Sequence, residues 1–347
     1  MTTTLRMLRP DDWHLHLRDG AGLEAVVAHT AGVFGRAVVM PNLQPPVVTT
    51  GQAREYRDRV LAALRPGSGF EPLMTLYLTD DTPASEIRTA RASGFVIGAK
   101  LYPAGATTHS NAGVTGIDRA TSALDAMESA GMPLLVHGEV TDPGVDIFDR
   151  ERVFIETVLA PLVERWQGLK VVLEHVSTAE GVQFVRSAPS RVAATITPQH
   201  IMLDRNDLLV GGIRPHHYCL PVVKGGVHRR AVLEAATGDD PRFFLGTDSA
   251  PHPRSRKESA CGSAGIFSAH AALPLYAEAF DKAGALNRLE AFASERGADF
   301  YGLPRNRDHI TLERTSWEVP GAYPFGDDVV VPMRAGETIG WRVVAEE

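Results

Sequence analysis

Eight short apolar segments recur along the chain, each separated from the next by a longer stretch, several of these with helical spacing. They are 12–17 (DWHLHL), 36–42 (RAVVMPN), 72–79 (PLMTLYLT), 98–103 (GAKLYP), 133–139 (PLLVHGE), 170–177 (KVVLEHVS), 192–199 (VAATITPQ) and 243–249 (FFLGTDS). Few charges interrupt them, which suits parallel strands buried on both faces. Between them, Leu23, Val26, Val27, Val33 and Phe34 share one helical face, as do Phe154, Ile155, Val158, Leu159, Leu162, Val163 and Trp166. Pro83 starts one helix in its first turn, and Thr178 opens another. Eight such units predict an α/β fold of the (β/α)8 TIM barrel type, with a doubly wound sheet as the rival architecture. Polar residues placed late in several strands favour the barrel.

The rhythm stops near the C-terminus. There ITLERTSWEVP (310–320) and VVVPMRAGETIGWRVV (329–344) read as short strands with turns. The expected organisation is a single domain over 1–347, with 305–347 as a small β-rich appendage packed on the barrel and pairing with TTLRML (3–8). A hydrophobic share of 44% supports a large core, while a net charge of −7 and the lack of a basic run argue against nucleic acid as a partner. No apolar run approaches the length of a membrane span, and MTTTLRMLRPDDWH has no signal-peptide apolar region. Cys219 and Cys261 form no CxxC pair, so a disulfide framework is not expected. These features predict a soluble cytoplasmic protein; they say little about small-molecule substrates, because a local pocket can oppose the global charge.

His14 and His16 are two apart, so a strand aims both imidazoles at one face, and Arg18 follows on the same parity. Asn42 ends the second segment, Lys100 lies within the fourth and His137 ends the fifth. His175 lies late in the sixth, and Asp248 ends the eighth, with His252 just beyond. In a (β/α)8 barrel these strand ends converge on one mouth. Singly, a histidine there is most often a hydrogen-bonded structural residue, and an aspartate a turn or helix cap. Lys100 resists that reading, because an ammonium inside a barrel loses its water unless it is paired or deprotonated. Four histidines, a lysine and an aspartate on the late halves of barrel strands point to a metal site. Imidazole and carboxylate suit zinc and its neighbours, and two ions would fit if something bridged them. An ammonium has no lone pair, but a deprotonated lysine can add carbon dioxide to give a carbamate with one oxygen for each ion. The other histidines (His29, His109, His200, His216, His217, His228, His270 and His309) are read as structural, with His216 and His217 on a loop that could reach the mouth.

The ordered set DDWHLHLRDG, VVMPNLQPP, GAKLYPAGATT, PLLVHGEV, LEHVS, ATITPQH, FLGTDSAPH and AGETIGW resembles the dihydroorotase family, in its short stand-alone bacterial form within the amidohydrolase superfamily. A bare HxH would be a weak signal; the full set in order, from about residue 5 to 345, is specific. The resemblance implies a hydrolase acting on cyclic amides. Its reaction would be the reversible cyclisation of N-carbamoyl-L-aspartate to L-dihydroorotate with loss of water, in pyrimidine (UMP) biosynthesis. It further implies two Zn2+ per subunit. His14, His16 and Asp248 would hold the more buried ion, and His137 and His175 the second. N6-carboxylysine at Lys100 and a hydroxide would bridge them, the hydroxide as nucleophile and Asp248 as general base and acid. Arg18, Asn42 and His252 would grip the substrate carboxylate. His137 and backbone groups around Leu220 and Ala264 would meet the substrate, and Thr107 and Thr108 in AGATTHSNAG (104–113) would form a lid. A homodimer is also implied. The lid departs from the family pattern at Gly105 and His109, where asparagines are expected.

Elementary chemistry runs parallel to the resemblance. Amide hydrolysis at neutral pH needs a nucleophile and a polarised carbonyl, and two metal ions supply both. The leaving nitrogen needs a proton, which an aspartate can deliver. Arg18 can give a carboxylate two parallel hydrogen bonds. The nearest rival is another cyclic-amide hydrolase of hydantoinase or allantoinase type, with the same metals and a different grip. A rival of another class is a non-catalytic barrel serving as an assembly partner. Arg18 with Asn42 and His252 speaks against the first, and the full complement of ligand residues against the second.

Overall fold

In the computed structural model, which describes residues 3–344, a first strand β1 (Thr4–Leu8) precedes eight parallel strands in chain order. These are β2 (Asp12–Leu15), β3 (Arg36–Val39), β4 (Glu71–Leu78), β5 (Val96–Leu101), β6 (Leu134–Val136), β7 (Val171–Leu173), β8 (Val192–Ile196) and β9 (Phe243–Leu245). Each overlaps one of the eight expected segments. The architecture is the (β/α)8 barrel, and the doubly wound rival is excluded because neighbours in the sheet follow sequence order throughout.

Both faces of the sheet are buried, as uninterrupted apolar strands require. Ala37, Val39, Leu134, Val136, Val171, Leu173, Phe243 and Leu245 join the large cluster packed with the helices. Their neighbours Val38, Leu135, Val172, Ala193 and Phe244 join Trp13, Ile97 and Ala298 in a second cluster that plugs the barrel interior. The barrel closes between β2 and the chain just beyond β9. Asp248 N–H donates to His14 O at 2.8 Å and His16 N–H to Ser249 O at 3.0 Å. The buried Asp12 carboxylate reinforces this seam, accepting from Thr247 N at 2.9 Å and Thr247 Oγ1 at 2.6 Å. At Gly246 a Cβ would lie 2.7 Å from Thr195 Cβ and 3.1 Å from His14 Cβ, so this approach needs glycine.

The strands end one to four residues before the expected segments do. Only His14 and Lys100 of the expected site residues therefore lie within strands; His16, Asn42, His137, His175 and Asp248 sit on the turns just past them, not on late strand halves. Three of the turns that follow also leave the extended conformation. Arg18 (φ 61°), His175 (φ 43°) and Asp248 (φ 43°) are left-handed, a conformation that cannot continue a strand.

The first helix, Ala21–Ala31, buries Leu23, Val26 and Val27, but Val33 and Phe34 fall beyond its end. A continuous helical run covers Arg150–Arg165, with a π turn at Ile155–Leu159. Thr178 caps Ala179–Ser187 by accepting from Gly181 N at 3.0 Å. Pro83 precedes Ala84–Ala92 as its cap instead of entering its first turn. At the C-terminus β10 (His309–Glu313) pairs antiparallel with β1, so TLRML does meet ITLE as expected. The remaining strands are β11 (Trp317–Glu318), β12 (Tyr323–Phe325), β13 (Asp328–Val330), β14 (Thr338–Ile339) and β15 (Arg342–Val344). β15 completes the sheet of β1 and β10; β11 pairs with β14, and β12 with β13. No helix among the described residues is long and apolar enough to cross a membrane.

Candidate active site

The period of two that plugs the barrel with apolar side chains also delivers polar ones to its mouth. Two residues above Leu135 stands His137, two above Val172 stands Glu174, two above Ala193 stands Thr195, and four above Val38 stands Asn42. His14 Nδ1 meets Glu174 Oε2 at 2.7 Å, and Thr195 Oγ1 donates to the same oxygen at 2.5 Å. With Glu174 as acceptor, Nδ1 carries the proton and His14 Nε2 presents its lone pair. That nitrogen lies 3.4 Å from Asp248 Oδ1, and His16 Nε2 lies 3.1 Å from the same oxygen. Ligand atoms of His14, His16 and Asp248 all fall within 4.8 Å of one another, the spacing of a metal cluster.

Electrostatics favour ligand forms. Burial, aided by the nearby Lys100, pushes His14 well below the ordinary histidine range, and burial also lowers His16. Burial opposes ionisation of Asp248, but the His16 hydrogen bond and the fields of His14, His16 and Lys100 outweigh it and bring the carboxyl to about 2. Burial raises Glu174 to about 7 against the pull of Lys100 and Thr195.

His137 and His175 stand beside this cluster. Their ring centroids are 4.8 Å apart, and His175 is 5.1 Å from His14. His137 Nε2 meets Glu139 Oε2 at 2.8 Å; with the carboxylate as acceptor, Nε2 carries the proton and Nδ1 presents its lone pair. Lys224 Nζ lies 4.0 Å from the other Glu139 oxygen, and both groups are buried. Lys100 is fully buried, and its Nζ has no hydrogen-bond partner. Burial lowers it to about 8 against the attraction of Glu174 and Asp248. Four imidazoles, a carboxylate and an orphaned buried amine are a donor set that fits divalent ions, and the lone Nζ is the position where a bridging group fits.

The cavity above the cluster is lined by every expected site residue except Lys100, which lies beneath it, and His252. Arg18 Nε donates to Pro251 O at 2.8 Å, and its Nη2 lies 2.9 Å from His252 Nε2. The same ring nitrogen is 3.0 Å from Ala264 O. Arginine can only donate, so its bond to His252 uses the Nε2 lone pair and leaves the Ala264 carbonyl free to accept from a ligand. Burial and the Arg18 charge hold His252 well below its ordinary range, consistent with that neutral form. Among the described residues no carboxylate pairs with Arg18, which burial lowers to about 10. The 104–113 loop folds over the cavity. Asn42 Nδ2 donates to Thr108 O and Tyr77 Oη to His109 O, both at 3.3 Å. His109 takes φ 60°, a left-handed position where asparagine is also at home.

Sequence reasoning missed Glu139, Glu174 and Tyr102. The signal for the first two was present: an acid within two residues of His137 and of His175, in segments otherwise apolar. His216 and His217 do not line the cavity; they meet Glu258 Oε1 at 2.9 Å and Asp207 O at 2.8 Å. His200 is structural, bridging Thr197 Oγ1 and Pro221 O.

Residues 12–311 match the profile of the amidohydrolase family. The chain is 62% identical over 343 residues to a dihydroorotase of Methylobacillus flagellatus, covering 99% of each. The fold superposes on the crystal structure of a dihydroorotase from Campylobacter jejuni with a TM-score of 0.91 at 34% identity, over 99% of this chain and 98% of that one. It also superposes on a Saccharomyces cerevisiae dihydroorotase in complex with 5-fluoroorotic acid, with a TM-score of 0.90 at 30% identity over 98% of both. On these grounds the chain belongs to the amidohydrolase family, among its dihydroorotases, hydrolases that act on cyclic amides.

Proposed function

We propose that the chain interconverts N-carbamoyl-L-aspartate and L-dihydroorotate at a site holding two zinc ions, as a step of cytoplasmic pyrimidine synthesis. The observation that carries this reading is a single cavity combining a His-His-Asp cluster with a half-buried arginine that pairs with no carboxylate among the described residues. A cyclic amide bearing a carboxylate satisfies both. A hydantoin or allantoin ring has no carboxylate and leaves Arg18 unpaired. The bound 5-fluoroorotic acid of the yeast relative, itself a pyrimidine carboxylate, supports the same substrate class.

His14, His16 and Asp248 would hold one ion, and His137 and His175 the other. Lys100 would join the ligand set as its carbamate, formed when the free amine adds carbon dioxide and releases a proton. When bound, the ions acidify water and polarise the amide carbonyl. Asp248 accepts the proton that the nucleophile loses and returns it to the leaving amide nitrogen; ring closure reverses that path. Arg18 and His252 receive the ring carboxylate, with Asn42 beside them. The Ala264 carbonyl and the Leu220 backbone meet ring polar groups, and Thr107 and Thr108 close over them. The chain acts as one domain with 305–347 as an extension, and as a homodimer. The exposed apolar Leu209, Val210 and Ile213 favour self-association.

The test is a metal count on purified protein together with turnover of dihydroorotate, hydantoin and allantoin. Two ions per chain and turnover of dihydroorotate alone are expected. A single ion, or hydantoin turnover without dihydroorotate turnover, overturns the reading.

A further inference from the structure

A second cation is buried near Arg18 without a counter-ion. Lys257 ends the short helix Arg254–Lys257 and is 3% exposed. Its Nζ donates to Tyr218 O at 2.7 Å and to Ser263 O and Gly265 O, each at 2.8 Å. An ammonium has three N–H donors, so three carbonyls satisfy it completely. Among the described residues it forms no ion pair.

The acceptors belong to two segments distant in sequence. Tyr218 stands two residues before Leu220, and Ser263 and Gly265 flank Ala264. Leu220, Ala264 and Gly265 all line the cavity. The segments also meet directly where Gly265 N–H donates to Tyr218 O at 3.0 Å. Gly265 also lies flat against the 250–252 turn: its φ is 146°, and a Cβ there would meet Ala250 O at 2.5 Å. Lys257 therefore ties the two strips together from behind. A neutral donor could make one or two of these bonds without the desolvation cost of a buried charge. An ammonium adds three bonds radiating from one atom and a positive potential beside Arg18. Burial, with Arg18 pulling the same way, lowers Lys257 to about 8.

We infer that Lys257 is a positioning residue for substrate: its ammonium clamps the Tyr218–Leu220 and Ser263–Gly265 backbones into the shape that receives the ring, and adds a second positive charge for an anionic pyrimidine. The inference rests on the proposed function, in which the Leu220 and Ala264 backbones meet the ring. It assigns Lys257 no contact with the metal cluster and no part in proton transfer.

Lys257→Met keeps the length of the stem and removes the three donors. Losing charge-assisted bonds behind the pocket should raise KM for dihydroorotate by about 10-fold or more, with kcat and two bound metals retained, because the lost interaction serves ground and transition state alike. Lys257→Arg keeps the charge but not the three-way geometry, and an intermediate KM is expected. Metal content and Tm are measured on each variant. An unchanged KM in folded, metal-replete Lys257→Met overturns the inference while wild-type turnover leaves the proposed function standing. A fall in kcat and metal content at constant KM, or failure of both variants to fold, also overturns it, since either would make Lys257 a support of the fold. Absence of dihydroorotate turnover in wild type would remove the proposed function and this inference with it.

Discussion

Lys100 shows how one side chain can be held in a reactive form by its surroundings. An ammonium in the barrel interior with no hydrogen-bond partner is costly, and the structure answers by lowering its pKa to about 8. Only the free amine adds carbon dioxide. Below about pH 8 the amine fraction falls about tenfold per pH unit. Carbamate formation on metal-free protein, at a fixed concentration of dissolved carbon dioxide, should therefore rise with pH and level off above about 8. Carbon-13 NMR with labelled carbon dioxide reads the carbamate directly, and Lys100→Ala should lack the signal. A rate still rising about tenfold per pH unit through pH 9, as for an ordinary lysine near 10.5, would mean that burial does not control this amine.

At the scale of elements, the ends of β2, β7 and β9 carry left-handed Arg18, His175 and Asp248. Such positions cost roughly 1–3 kcal/mol each and persist where surrounding structure over-determines them. Here the backbone bonds between β2 and residues 248–249 support Arg18 and Asp248, and Thr195 Oγ1, accepting from His175 N at 2.7 Å, supports His175. The lid is held differently. Its two bonds to the barrel mouth, from Asn42 and Tyr77, are both 3.3 Å long, whereas its internal Thr107 N to Ser110 Oγ bond is 2.8 Å. A segment stiffer within itself than against its support moves as a unit. Replacing Thr107 and Thr108 together by alanine should lower kcat while both metals stay bound. Steady-state kinetics with metal analysis checks this; loss of metal would show that the loop supports the metal centre.

For the whole molecule, the barrel gathers side chains from distant strands so that one proton carrier serves both directions. Ring closure turns two carboxylates into one and consumes a proton, so opening must gain on closure by about tenfold per pH unit. If Asp248 is the shared carrier, kcat/KM for opening rises and then levels, while closure is level in acid and then falls. Both profiles bend at one apparent pKa, which belongs to the loaded site as a unit. Measuring both directions on one metal-replete preparation tests this. Opening that stays flat across neutral pH would place the apparent pKa below that range, and Asp248→Asn with full activity would remove the residue from the role.

The eight strands, most of the helical faces and the pairing of the two ends of the chain were legible in the sequence, because apolar periodicity is local and both faces of a parallel strand must be buried. The HxH pair, Lys100 and the ordered motifs were legible for the same reason: each is a polar residue at a position where its segment is otherwise apolar. Tertiary structure alone decided where the strands stop, since each end is set by pairing with neighbouring strands and not by the local apolar pattern. It also decided which nitrogen of His14 is free, because Glu174 sets that through a hydrogen bond made only when distant strands come together, whereas Glu139 does the same for His137 from two residues away. Lys257 left no trace in local pattern. Its three carbonyl partners are backbone atoms, which every residue possesses, and only the folded chain selects among them.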